Sequence, residues 1–236
     1  MTETVLKHIE EHVIPDKRLG RHVEHDPRSR QHAYGATLAP AALVRVHHRV
    51  YGGVLSQGQI GSCTGNATAG AINTAGLHVV GHATLKEPEA LGIYELATVL
   101  DEFEGSYPPT DTGSSGLSAA KAAQQKTLIG SYEHAFDMSA ALAALQKGPV
   151  ITGVDWYEGF DTPNATTGRV KPTGQIRGGH EIVCIGYEPH ATLADSLVFL
   201  QNSWGADWGL SGRFCWTVQT WQKLLDDQGD VTILVK

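Results

Sequence analysis

Four residues of the 236-residue chain carry chemistry in their types and order: Gln57, Cys63, His180 and Asn202. Cys63 opens an Ala/Gly-rich run with helical spacing. A thiol at a helix N-terminus feels the positive end of the helix dipole and the free N–H groups there, and both favour thiolate. Gln57 stands six residues ahead and offers a side-chain amide. His180 lies in Arg177-Gly-Gly-His-Glu-Ile-Val, where two glycines let another chain approach and the histidine enters a strand. An imidazole there can meet the thiol across a cleft and share its proton, and Asn202 can accept a hydrogen bond from the second ring nitrogen. Trp204, two residues on, would shield that bond from water. Taken singly, each residue also has an ordinary reading as a buried unreactive cysteine, a satisfied core histidine or the packing of a turn.

The elements that must position these groups divide the chain in two. Apolar residues at 5, 6, 9, 13 and 14 predict a short amphipathic helix ended by Pro15. An Arg- and His-rich stretch without periodicity follows, so residues 1–50 are expected to form a helix and an extended arm. The run from Cys63 through Ala67, Ala71 and Ala75 predicts a central helix, closely packed because Gly65, Gly70 and Gly76 leave so little bulk. Further helices are predicted over 88–103, over 117–128, and from Asp137 as N-cap to Gly148-Pro149. From Val150 onward, β-branched and aromatic runs separated by Gly, Pro and Asn predict antiparallel strands. The fold class is therefore α+β, with a helical lobe over 51–149, a strand-rich lobe over 150–236 and a cleft between them.

A net charge of −7 argues against a nucleic-acid partner. No stretch is long and apolar enough for a membrane helix, and the first twenty residues lack the core of a signal peptide, so a cytoplasmic location is expected. Three cysteines, Cys63, Cys184 and Cys215, are too few for a disulfide framework and have no zinc-ribbon spacing. His8 and His12 stand one helical turn apart but no third ligand type joins them, and the adjacent His47 and His48 would point to opposite faces of a strand. No metal or cofactor is expected.

Together, the order and context of these residues resemble the papain family of cysteine peptidases over about residues 50–216. A Gln-Gly pair precedes a Gly-Ser-Cys turn, as in Gln57-Gly58 and Gly61-Ser62-Cys63. A Gly-His followed by an apolar strand ending in Gly-Tyr matches Gly179-His180 through Gly186-Tyr187. The Asn-Ser-Trp-Gly-x-x-Trp-Gly-x-x-Gly signature is met in full from Asn202 to Gly212. Asn202 follows Cys63 by 139 residues (202 − 63), inside the roughly 130–150 of that family.

The resemblance implies a papain-like two-lobe fold, with an antiparallel sheet or barrel as the second lobe and the active site in the interlobe cleft. It implies a peptide or protein substrate, no cofactor, and an oxyanion hole made by Gln57 and the Cys63 backbone N–H. It also places Gly113 and Ser114 on one side, and Gly178 and Gly179 on the other, along the substrate main chain, with Trp204 beside them. Ile60 stands where secreted members have a disulfide cysteine, and Thr64 where they have Trp. The wording around Cys63 is similar to bacterial or phage members. Glu181 departs from the small residue usual after the histidine. It either faces a pocket that favours a basic side chain or forms an ion pair, for example with an arginine of the arm. The stretch before Gln57 is shorter than the family's inhibitory propeptide, and residues 16–48 are expected to pack around the lobes without blocking the cleft. A peptidase or amidase acting on cell-wall peptides, and a non-catalytic peptide-binding module, are the alternative functions.

Overall fold

A computed structural model describes residues 3–236. Met1 and Thr2, the start of the segment expected to hold the first helix, lie outside the described residues. The helical side is built on α1 (Cys63–Ile72), all ten of whose residues are buried. Its small side chains are what let neighbours close in. A Cβ on Gly65 would collide with the Ala90 carbonyl and come within 2.9 Å of the Tyr94 Cβ, so α2 (Glu87–Leu100) crosses α1 at this glycine. Next come α3 (Gly116–Gln125), capped by the Ser115 hydroxyl, and α4 (Met138–Leu145), capped by the Asp137 carboxylate as expected.

Against the helices lies a seven-stranded antiparallel sheet, not a closed barrel, that takes five strands from residues 150–236 and two from the chain before them. Its strands are β3 (Val46–His47), β4 (Ser131–His134), β5 (Val150–Tyr157), β6 (Ile176–Glu188), β7 (Leu197–Gln201), β8 (Arg213–Thr217) and β9 (Asp230–Val235). They run in the order β4-β9-β5-β6-β7-β8, with β3 paired to β6. Helix α5 (Val218–Asp226) links β8 to β9. Trp156, Phe160, Phe214, Trp216 and Trp221 pack with Ile182, Leu200 and Leu142 into the largest apolar core. Burial at about 25 cal/mol per Å2 makes such bulky residues the main stabilising mass of the body.

The first residues differ from the sequence expectation. There is no helix at 4–14: Val5–Lys7 is a strand, β1, paired antiparallel with β2 (Val23–His25). Residues 8–14 are extended, with the His12 N–H bonded to the Arg177 carbonyl. The amphipathic spacing is real, but β-branched Val5, Ile9, Val13 and Ile14 serve an extended chain as well as a helix, and the edge of β6 offers backbone partners that a lone helix lacks.

Candidate active site

The site lies where the start of α1 faces β6 and the end of β7. Cys63 is the first residue of α1 and has no exposed surface; His180, on β6, has none either. Nε2 of His180 lies 2.7 Å from Asn202 Oδ1, just past β7, and that oxygen also accepts the Ser203 N–H. Because an amide oxygen only accepts, Nε2 carries the ring proton and Nδ1 keeps the lone pair. Nδ1 is buried without a hydrogen-bond partner. The backbone N–H of Glu181, the residue after His180, acts on the Cys63 thiol, which places the start of α1 beside this stretch of β6. Trp204 stacks on the imidazole at 5.1 Å between ring centroids, and Trp156 meets it edge-on at 4.8 Å.

Gln57 is fixed through its carbonyl oxygen, which accepts the Ser203 hydroxyl at 2.7 Å. This turns its amide nitrogen toward the cleft, where it donates to the carbonyls of Ile60 (2.9 Å) and Leu19 (3.2 Å). Leu19 belongs to the arm. Residues 8–25 do not go around the lobes; they run through the cleft itself. Residues 27–47 behave as expected, passing over the outside, where the Tyr34 N–H bonds the His134 carbonyl and β3 joins β6.

The arm uses the main-chain edges that family resemblance assigns to substrate. Ser114 donates its N–H to the Gly20 carbonyl (2.9 Å) and accepts the His22 N–H (2.7 Å). On the other edge the Gly179 carbonyl accepts the Arg21 N–H at 2.9 Å. Glycines permit this closeness. A Cβ on Gly179 would collide with the Arg21 carbonyl, one on Gly178 would come within 2.8 Å of Leu19 Cδ1, and one on Gly113 within 2.6 Å of the Gly20 oxygen. Gly20, at φ +123°, crosses the Gly61-Ser62-Cys63 turn so tightly that a Cβ there would strike the Gly61 carbonyl.

Besides Trp204, anchors of the arm include residues that were not singled out in the sequence. Trp204 Nε1 donates to the Arg18 carbonyl (2.8 Å), and Arg177 donates to the carbonyls of His12 and Lys17. Arg18 pairs with Asp111 at 3.1 Å, and the same carboxylate accepts the Gly61 N–H and the Tyr94 hydroxyl, tying arm, nucleophile turn and α2 together. The signal for Asp111, Arg177 and Tyr94 was weak because isolated charged or aromatic residues carry no spacing.

Glu181, 1% exposed, points inward beside Arg21 of the arm. Neither of its carboxyl oxygens hydrogen-bonds Arg21 or any other group among the described residues. Burial and the neighbouring Asp230 push its carboxyl up, while Arg21 pulls it down.

The covered site is electrically quiet. Burial pushes the Cys63 thiol well above its ordinary value, with the Glu181 charge adding to the effect and the Glu181 N–H opposing it. Burial likewise lowers His180 to about 3, against the opposing Asn202 hydrogen bond. Both shifts favour neutral thiol and neutral imidazole over the expected ion pair. The helix dipole does not overcome desolvation while the cleft is filled.

A family model described as papain family cysteine protease matches residues 55–224. Among solved structures, xylellain, a cysteine protease from Xylella fastidiosa, superimposes with a TM-score of 0.70 at 20% identity, covering 99% of both chains. Digestive procathepsin L 3 from the larval midgut of Tenebrio molitor gives 0.61 at 16% identity, over 86% of this chain and 73% of that one. The ragweed pollen cysteine protease Amb a 11, in its proform, gives 0.57 at 14%, over 83% and 67%. Comparison with curated protein sequences returns no match. With more than half of its length matched by the family model, around a cysteine, a histidine and an asparagine brought together from three distant segments, the chain belongs to the papain family of cysteine proteases.

Proposed function

We propose that Cys63 is the nucleophile of this peptidase, His180 its general acid and base, Asn202 the group that orients the imidazole, and Gln57 an oxyanion donor. We also propose that the arm holds the enzyme latent. The observation that carries the assignment is the His180 Nε2 to Asn202 Oδ1 bond at 2.7 Å, roofed by Trp204, which leaves Nδ1 as the basic atom on the thiol side.

With residues 8–25 withdrawn, water reaches the thiol and the imidazole and the desolvation that opposes ionisation is relieved. Cys63 then gives its proton to Nδ1, and the helix N-terminus stabilises the thiolate. Sulfur attacks the peptide carbonyl, and the carbonyl electrons move to oxygen, where the Gln57 amide donates in place of its bond to Leu19. Nδ1–H passes its proton to the leaving nitrogen as the C–N bond breaks. Water, deprotonated by Nδ1, then cleaves the thioester, returning the thiol and releasing the acid.

The arm's contacts support latency on their own terms. Leu19 takes the Gln57 donor, and Gly20 to His22 take both main-chain edges, so a substrate and the arm compete for the same groups. The test is thiol-directed labelling of Cys63 at mildly acidic pH, followed by mass, in the full chain and in His180→Ala. Labelling should be slow in the intact chain, accelerate when the arm is loosened by Gly20→Ala, and fall sharply when His180→Ala is added. Equal labelling with and without His180 would remove the histidine from its role. Gln57→Ala should lower kcat on the order of 10²–10³-fold, the usual loss of one oxyanion donor.

A further inference from the structure

Arg21 is 0% exposed, among the largest fully buried side chains of the protein. Its main chain lies between Ser114 and Gly179, and its side chain passes Gly153 of β5 to reach β9. There Nη2 donates to Asp230 Oδ2 at 2.6 Å and to the Gln228 carbonyl at 2.8 Å. Glu181 enters from β6, and neither of its carboxyl oxygens has a hydrogen-bond partner despite being buried. Asp155 on β5, also buried, is a third carboxyl group facing the guanidinium.

Two glycines make the room. A Cβ on Gly153 of β5 would stand 2.6 Å from Asp230 Oδ2, 2.6 Å from Glu181 Oε2 and 2.7 Å from Arg21 Nε. A Cβ on Gly116, at the start of α3, would stand 2.5 Å from Glu181 Oε1. Any larger residue at either position would fill the space in which the charges meet. Withdrawal of Arg21 would leave a slot with acidic walls and the Gln228 carbonyl at its end. Its mouth opens between the two backbone edges along which a peptide would lie.

We propose that this slot is the specificity pocket of the open enzyme and selects an arginine side chain of the substrate, Arg21 being the chain's own occupant of it. The inference rests on the peptidase reading of Cys63 and His180. When the arm leaves, Glu181 and Asp230 remain in a buried space without a cation. An aliphatic side chain would leave them unpaired, and an acidic one would add to the repulsion. A guanidinium restores the pairing with Asp230: in the closed form Nη2 alone meets both Asp230 and the Gln228 carbonyl, and Nε and Nη1 remain as further N–H donors in the space beside Glu181. The point charge of a lysine does this less well.

The experiment uses the full-length chain carrying Arg21→Ala, which empties the slot and keeps its carboxylates. Millimolar agmatine should raise the thermal midpoint of this variant, butylamine should raise it less, and Asp230→Asn in the same background should remove the effect. In parallel, peptides varied one position at a time before the scissile bond should show kcat/KM about a hundredfold higher for Arg than for Leu at one position. That preference should collapse toward parity with Asp230→Asn. A midpoint indifferent to agmatine, together with equal cleavage of Arg and Leu peptides, would overturn the pocket and leave the peptidase reading intact. Stabilisation by agmatine with no cleavage of any peptide would uphold the pocket and overturn the peptidase reading. Should Arg21→Ala fail to fold, the same peptide set on the arm-loosened Gly20→Ala chain, with and without Asp230→Asn, decides the matter: arginine preference lost with Asp230 upholds the slot, and cleavage without arginine preference in Gly20→Ala overturns it.

Discussion

The arm in the cleft and the sheet behind it are held by different physics. Residues 8–25 are fastened by main-chain hydrogen bonds to Ser114, Arg177 and Gly179 and by the charges of Arg18, Arg21 and Arg177. The body is fastened by apolar packing, with Trp156 touching Phe160, His180, Trp204 and Phe214 at ring distances of 4.8 to 5.7 Å. Polar and charged contacts exchange readily for water or for another polar chain, whereas packed rings have no such substitute. On the latency proposed above, the arm is the part able to leave, with Leu19, fully buried in the same apolar core as Trp156, as its main apolar anchor, and the body is the part that stays.

The sharpest way to break this contrast is to strike the body. Trp156→Ala should cost about 4 kcal/mol of stability, the usual price of deleting a buried aromatic side chain, and should lower the denaturation midpoint of the whole protein. A loss confined to arm contacts would mean that the tryptophan cluster does not carry the fold.

Next in size is the arm's tightest crossing. Gly20→Ala puts a Cβ against the Gly61 carbonyl at a φ that other residues adopt poorly, which should cost roughly 2 kcal/mol or more in the closed form alone. Labelling of Cys63 should then speed up by about an order of magnitude while the midpoint of the body barely moves. A body that melts early in this variant would show that the arm belongs to the core.

The third prediction uses acid. His22 accepts the Ile9 N–H at Nδ1 and bonds the Thr112 carbonyl through Nε2, and burial lowers its pKa from 6.5 to about 4. A released His22 would regain its ordinary value, so the open arm binds the extra proton. The closed form thus keeps its full advantage above pH 6.5 and loses it progressively as pH falls toward 4. Hydrogen-exchange protection of the Gly20–His22 amides, corrected for intrinsic rates, should fall over that window in the native chain and much less in His22→Gln. Equal profiles would exclude His22 as the sensor.

The smallest effect expected is at the cap of helix α4. Asp137→Ala removes the carboxylate that accepts the Ala140 N–H and should cost about 1 kcal/mol in the denaturation midpoint. Cys63 labelling should be unchanged. A rise in labelling would connect α4 to the arm and blur the contrast.

Much was legible before the structure. Asp137 as a cap and Cys63 at a helix start follow from local rules, as do the runs that became β5 to β8, because side-chain type and short-range spacing decide them. The element errors have a common cause. Val5–Lys7 reads as part of a helix until β2 is there to pair with it, and Asp230–Val235 passes unnoticed until β4 and β5 flank it. Of the sheet and the barrel that the sequence left open, the open sheet is found, because closure depends on which edge strands meet, which no single run records.

The sequence by itself determined the chemical inventory: one thiol with a histidine, an asparagine and a glutamine in a diagnostic order, and glycines placed for close approach. Chemical type and order along the chain suffice for that. It did not determine which chain makes the approach. Arg21 finds Asp230 across 209 positions, and the slot they share needs α3, β5, β6 and β9 folded around it before it exists. Contacts of that range are set by the packing of the whole body, and so the tertiary structure alone decided that the cleft is closed, and by which residues.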